Sequence, residues 1–153
     1  MNSKQVILAP CDGEIIPLAD VTDEVFSSGM MGEGFGVLPS SKKIFSPVSG
    51  KIENAYKTGH AYTIITDDGL DVLVHIGIDT VELESGYFES KVESGDSIKK
   101  GELLCIAEID KILERGFDPA VVVVISNSER IHSEQIKYGA CYSRDEAFLY
   151  EIK

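Results

Sequence analysis

Hydrophobic positions along the chain fall in short runs broken by Gly, Pro, Asp and Ser. Residues 6–9, 13–16, 36–38, 51–55, 62–66, 72–78, 103–109 and 121–125 have strand length and strand composition. Turn signals such as Asp12-Gly13, Asp68-Gly69 and Ser94-Gly95-Asp96 divide them. Helical periodicity is weak. Residues 110–115 and 128–137 each read as a short helix, and residues 21–28 as a single turn. Many short strands with regular turns predict an all-β fold, an antiparallel β-sandwich or barrel with one or two short helices.

The pattern also repeats. Ala9-Pro10-Cys11-Asp12-Gly13-Glu14-Ile15 is similar to Ser46-Pro47-Val48-Ser49-Gly50-Lys51-Ile52. Each copy reads as a strand end, a Pro-led turn and a Gly before the next strand, which a duplicated β-hairpin unit explains. Residues 92–104 have a turn at each glycine and an alternating strand after the second, as hammerhead folds that carry biotin or lipoate do. No linker or low-complexity segment interrupts the chain, so residues 1–153 are expected to form one domain.

Composition narrows the function. The 153 residues carry 14 Lys and Arg against 26 Asp and Glu, a net charge of −12. Phosphate backbones and anionic bilayers are held by clustered Lys and Arg, so neither nucleic acid nor an anionic membrane is an expected partner. A hydrophobic share of 43% argues against disorder. No apolar run approaches the ~20 residues that a membrane span needs, and the start lacks a signal-peptide pattern, so the expected location is the cytoplasm. Cys11, Cys105 and Cys141 are odd in number and widely spaced, and read as buried or idle thiols.

The chemistry concentrates at two of the three histidines. Residues 71–78 alternate, with Val72, Val74, Ile76 and Ile78 on one face and Asp71, Leu73, His75 and Gly77 on the other. His75 is thus expected to project away from the core, with Gly77 leaving room beside it. Thr58-Gly59-His60 precedes the strand at 61–66, and Asp67-Asp68-Gly69 makes a tight hairpin between the two strands. Pairing of those strands would bring His60 to His75. Three chemistries use such a pair: zinc hydrolysis with Asp79 as a third ligand, general acid–base catalysis, and nucleophilic catalysis by a neutral imidazole. Spacing does not choose among them.

His75-Ile76-Gly77-Ile78-Asp79-Thr80-Val81-Glu82-Leu83 resembles the active-site signature of the glucose-type enzyme IIA of the bacterial phosphoenolpyruvate-dependent sugar phosphotransferase system. Thr58-Gly59-His60-Ala61 resembles that family's second site motif. Ala9-Pro10, Asp12-Gly13, Met31-Gly32-Glu33-Gly34, Ser46-Pro47-Val48-Ser49-Gly50 and Val124-Ile125-Ser126-Asn127 resemble its other landmarks in the same order. The resemblance implies a β-sandwich of the duplicated hybrid type. It implies a phosphoryl carrier that accepts from the phosphocarrier protein HPr and delivers to a cysteine of a sugar-permease IIB domain, without a cofactor and as a monomer. His75 would be phosphorylated at Nε2, His60 would donate to the phosphoryl oxygens, and Thr58 would fix the tautomer of His60. Asp23 and Asp79 would flank the site and face basic residues of the partners.

A shallow apolar docking patch is expected around the histidines, from Val25, Phe26, Met30, Met31, Tyr56, Leu73 and Val81. His132 is expected on the surface, and Lys42-Lys43 in a solvated turn. The alternatives are a zinc hydrolase on a related fold, which lacks an H-x-H ligand pair, and a biotinyl or lipoyl carrier, which lacks a lysine in an M-K-M or D-K-A setting. A zinc ion bridging His60 and His75 would need a further ligand from a partner.

Overall fold

The computed structural model describes residues 4–83 and 86–153. Residues 1–3, expected ahead of the first strand, lie outside the described residues. The strands are β1 (Lys4–Leu8), β2 (Gly13–Pro17), β3 (Glu33–Pro39), β4 (Lys43–Phe45), β5 (Gly50–Ala55), β6 (Ala61–Thr66), β7 (Asp71–Ile76), β8 (Phe88–Ser90), β9 (Ser97–Ile98), β10 (Leu103–Ala107), β11 (Val121–Ile125), β12 (Ile131–Ile136), β13 (Gly139–Cys141) and β14 (Glu146–Ile152). Helices α1 (Glu24–Ser27) and α2 (Ile109–Glu114) are short. All the strand pairs are antiparallel, as the sequence pattern predicts.

The duplication is visible in the pairing. The large sheet runs β13-β2-β3-β11-β7-β6-β5-β9, and two small sheets run β1-β14-β12 and β4-β10-β8. Exchanging the two halves reproduces the same order about the β11–β7 pair. The proline turns clasp each other: Leu8 N–H donates to the Pro47 carbonyl at 3.0 Å, and Phe45 N–H donates to the Pro10 carbonyl at 2.7 Å. Ala9 exchanges backbone hydrogen bonds with Arg144 and Asp145, as Ser46 does with Gly101 and Glu102. The acid caps repeat as well, Asp145 accepting from Tyr142 N–H and Glu102 from Lys99 N–H.

Glycine closes each unit. A Cβ on Gly13 would sit 2.0 Å from the Leu38 carbonyl oxygen, and one on Gly50 would sit 2.2 Å from that of Ile65. The repeated Pro-to-Gly motif is thus a backbone approach that no side chain permits.

One core cluster joins the three sheets, with Ile7, Tyr62, Val74, Leu104, Val123 and Phe148 among its members. A second, smaller cluster covers the other face of the central strands: Val21, Phe26, Leu73, Ile78, Val122 and Val124. This explains the unbroken Val-Val-Val-Val-Ile of β11, which is buried on both faces. The cysteines are buried and free, as expected.

Two expectations are corrected. Residues 128–137 are not helical; after a 3-10 turn at Ser128–Arg130 they form β12. A register shift between Ser133 and Gln135 turns both Ile131 and Ile136 inward at an odd spacing. Polar residues fill the exposed stretch between them, and together these features hide the strand period. Lys43 lies in β4 rather than in a turn, while exposed Lys42 pairs with Glu108 at 3.0 Å.

Gly50→Ala is expected to lower stability by about 1–3 kcal/mol, the usual cost of forcing an added methyl into packed structure. A reduced urea midpoint at constant slope would register this. An unchanged midpoint would mean that the β5–β6 approach relaxes freely.

Candidate active site

The site is built at one end of the β6–β7 hairpin. At the other end, Thr66 accepts from Leu70 N–H at 2.9 Å through its hydroxyl and closes the predicted turn. That closure sets the register Tyr62↔Val74 and Ala61↔His75. His60 lies one residue ahead of β6, where its carbonyl accepts from Ile76 N–H at 2.6 Å. The two imidazoles meet edge to face, with ring centroids 5.2 Å apart at 80°. His60 is buried and His75 is half-buried.

β7 stops at Ile76 because Gly77 turns with φ +81°. A Cβ there would sit 2.3 Å from Thr80 Cγ2, so the space beside Gly77 is occupied by Thr80. The turn swings Ile78 into the second cluster, away from Val72, Val74 and Ile76, which corrects the alternation expected for the whole run. It also presents the Gly77 carbonyl to His75 Nδ1 at 2.8 Å. A carbonyl oxygen only accepts, so Nδ1 carries the proton and the lone pair of neutral His75 lies on Nε2. Thr58 Oγ1 pairs with His60 Nδ1. When that hydroxyl donates, the proton of His60 lies on Nε2.

Burial lowers the pKa of His60 from 6.5 to about 4, with the neighbouring His75 adding to the effect. Burial also lowers the pKa of His75, opposed by its bond to Gly77 and by the charges of Asp23 and Asp79. Both shifts favour the neutral imidazole at pH 7.

Asp23 caps α1 by accepting from Val25 N–H at 2.8 Å. Asp79, at φ 60°, precedes the 3-10 turn Thr80–Glu82. Among the expected patch residues, Val25, Tyr56, Val81 and Met30 are exposed. Tyr56 meets His60 edge-on at 5.4 Å. Phe26 and Leu73 are buried and Met31 is half-buried, all three packed in or against the second cluster. Phe26 and Leu73 are therefore corrected from surface to support, although the Phe26 ring centroid lies 5.3 Å from that of His75. The sequence reading missed Phe88, whose ring lies 6.4 Å from that of His60. His132 is exposed on β12.

No three His, Cys, Asp or Glu side chains come together as a metal site among the described residues. The zinc hydrolase is corrected on this ground: His60, His75 and Asp79 do not form the ligand set it needs.

The family model for "phosphoenolpyruvate-dependent sugar phosphotransferase system, EIIA 1" matches residues 5–131. The chain belongs to this family. It is 41% identical over 134 residues to a glucose-specific EIIA component of Staphylococcus epidermidis, covering 86% of this chain and 81% of that one. It is 36% identical over 148 residues to a beta-glucoside-specific EIIBCA component of Bacillus subtilis, covering 97% of this chain and 24% of the relative. In such multi-unit relatives the chain spans a quarter or less of the length. The solved glucose permease IIA of Mycoplasma capricolum superposes with a TM-score of 0.90 at 35% identity, covering 97% of this chain and 96% of that one. The β-sandwich of this EIIA family is therefore the fold of the chain. No helix among the described residues is long and apolar enough to cross a membrane.

The depressed pKa of His60 makes stability pH-dependent. Between pH 6.5 and about 4 the unfolded chain takes up a proton that folded His60 refuses, so stability present above pH 6.5 falls with pH. The contribution is on the order of 3 kcal/mol once pH 4 is reached. Urea midpoints across this range are expected to fall more steeply for the native chain than for His60→Gln. Parallel curves would contradict the buried neutral ring.

Proposed function

We propose that the chain is a phosphoryl carrier in which His75 Nε2 is the acceptor. One observation carries this reading. The Gly77 carbonyl holds the proton of His75 on Nδ1, which leaves the Nε2 lone pair free next to a second neutral histidine. The transfer breaks the P–N bond of phospho-HPr as a P–N bond to His75 forms. In the next step that bond breaks as the phosphoryl group passes to a cysteine thiolate of a permease IIB domain. EIIBCA and EIICBA relatives, whose names join B and C units to an A unit, support the IIB partner. Residues 1–153 act as one IIA unit in this reading, a cytoplasmic monomer.

Phosphoryl transfer asks a protein for alignment and for donors aimed at the oxygens that gather charge. His60 supplies such a donor from Nε2–H when Thr58 bonds to Nδ1. Asp23 and Asp79 recognise cations on either partner and are neutralised by them during docking. A bare carboxylate ~5 Å from a phosphoryl charge costs roughly 3 kcal/mol at an effective dielectric of ~20. Exposed Val25, Tyr56 and Val81 give an apolar rim to both encounters.

Incubation with phosphoenolpyruvate, enzyme I and HPr is expected to add one acid-labile phosphoryl mass, absent in His75→Ala. His60→Gln is expected to slow acceptance by ~10²–10³, the usual loss for one preorganised donor. Phosphorylation of His75→Ala at the native rate would refute the assignment. Asp79→Asn is expected to slow exchange with HPr while leaving the urea midpoint in place. An unchanged exchange rate would remove Asp79 from the docking rim.

A further inference from the structure

Asp118 belongs to none of the motifs at the histidines, yet it is bonded to both structures that hold His75. It sits half-buried in the segment between α2 and β11. Pro119 follows and has no N–H, so one carboxylate oxygen, Oδ1, turns back to accept from Ala120 N–H at 2.9 Å. This local ring fixes the turn. The two outer carbonyls of the turn then take the next residues of the site: Asp118 O accepts from Ile78 N–H and Ala120 O accepts from Gly77 N–H, each at 2.8 Å. The Gly77 peptide is thereby held with its own carbonyl toward His75 Nδ1.

The second carboxylate oxygen, Oδ2, accepts from the Thr22 hydroxyl at 2.9 Å. Thr22 is the residue before Asp23, which caps α1. From α1, Phe26 packs against the His75 ring. A single side chain thus ties the carbonyl that sets the tautomer to the helix that packs on the ring. No other carboxylate among the described residues is bonded to both sides of His75 in this way.

We infer that Asp118 is a positioning residue for His75: it braces the Gly77 turn and α1 together and so keeps the nucleophilic nitrogen unprotonated and aimed. The inference rests on the proposed carrier function for its kinetic consequence, but not for its structural one. Without the brace, Gly77 loses its fixed orientation and His75 Nδ1–H loses its acceptor. The tautomer with the proton on Nε2, which has no lone pair to offer phosphorus, then becomes populated. The brace needs two hydrogen-bonding sites and not a charge. Asn keeps one carbonyl for Ala120, and its amide can donate to the Thr22 hydroxyl oxygen.

The test compares Asp118→Ala, Asp118→Asn and Thr22→Val. Imidazole nitrogen-15 chemical shifts report the tautomer of His75 in the unphosphorylated chain, and stopped-time mass measurement reports acceptance from phospho-HPr. Asp118→Ala is expected to change the His75 spectrum from one tautomer to a mixture and to cut the maximal rate about tenfold, the lower end of losses for a supporting group. Apparent affinity for HPr should change less. Asp118→Asn is expected to restore the single tautomer and most of the rate. Thr22→Val is expected to keep the tautomer and slow transfer, because it frees only the α1 side. A native spectrum and rate in Asp118→Ala would overturn the inference, as would an Asn variant as impaired as Ala. If Asp118→Ala does not fold, Thr22→Val transferring at the native rate would overturn it. If the native chain takes no phosphoryl group on His75, the carrier function fails, and the ring spectra still decide on the brace.

Discussion

A hydrogen bond from an imidazole to a peptide carbonyl runs in one direction only, and the site depends on this. His75 Nδ1 faces the Gly77 oxygen at 2.8 Å, so its proton and its lone pair have fixed addresses. That carbonyl is available because the chain leaves β7 at Gly77 with a positive φ, which Thr80 fills from beneath. The exit is held in turn by carbonyls of the segment entering β11. Tautomer, ring orientation and strand end are therefore one arrangement.

The fold itself is neutral toward this chemistry. Its halves correspond strand by strand, and the register carries the correspondence into the site. Ala61 opposes His75 in one half where Gly34 opposes Val124 in the other. The counterpart of His75 is thus a valine buried in the second cluster, and that of His60 is Glu33, which accepts from Ser133. A symmetric scaffold holds an asymmetric site. The cover on the outer face follows the same division: Val21 and Phe26 cap Leu73 and Val122 and leave His75 at the margin, half open.

Much of this was legible because local physics and tertiary context agree. The run at 121–125 reads as a strand from five β-branched residues, and the repeated Pro-to-Gly segments mark backbone approaches that only glycine allows. The meeting of His60 and His75 was legible from hairpin logic. What was lost lies where context overrides pattern. A bulge hid β12, and the turn at Gly77 reversed the face of Ile78. Phe26 and Leu73 looked like docking residues because apolar side chains near a site have one appearance in sequence, whether they face a partner or the sheet beneath. Asp118 left no signal, because its role arises from hydrogen bonds to residues far away along the chain.

The acidity of the chain takes its meaning from where its charges stand. Ion pairs such as Lys4–Glu134, Lys42–Glu108 and Lys137–Glu146 engage neither Asp23 nor Asp79. Asp23 and Asp79 stand instead where their field reaches His75 and opposes the effect of burial on its pKa. Burial alone would make the imidazole a poorer base, and the carboxylates alone would favour its protonated form. The two together leave a neutral ring with a usable lone pair. They also leave a rim of negative charge beside that ring.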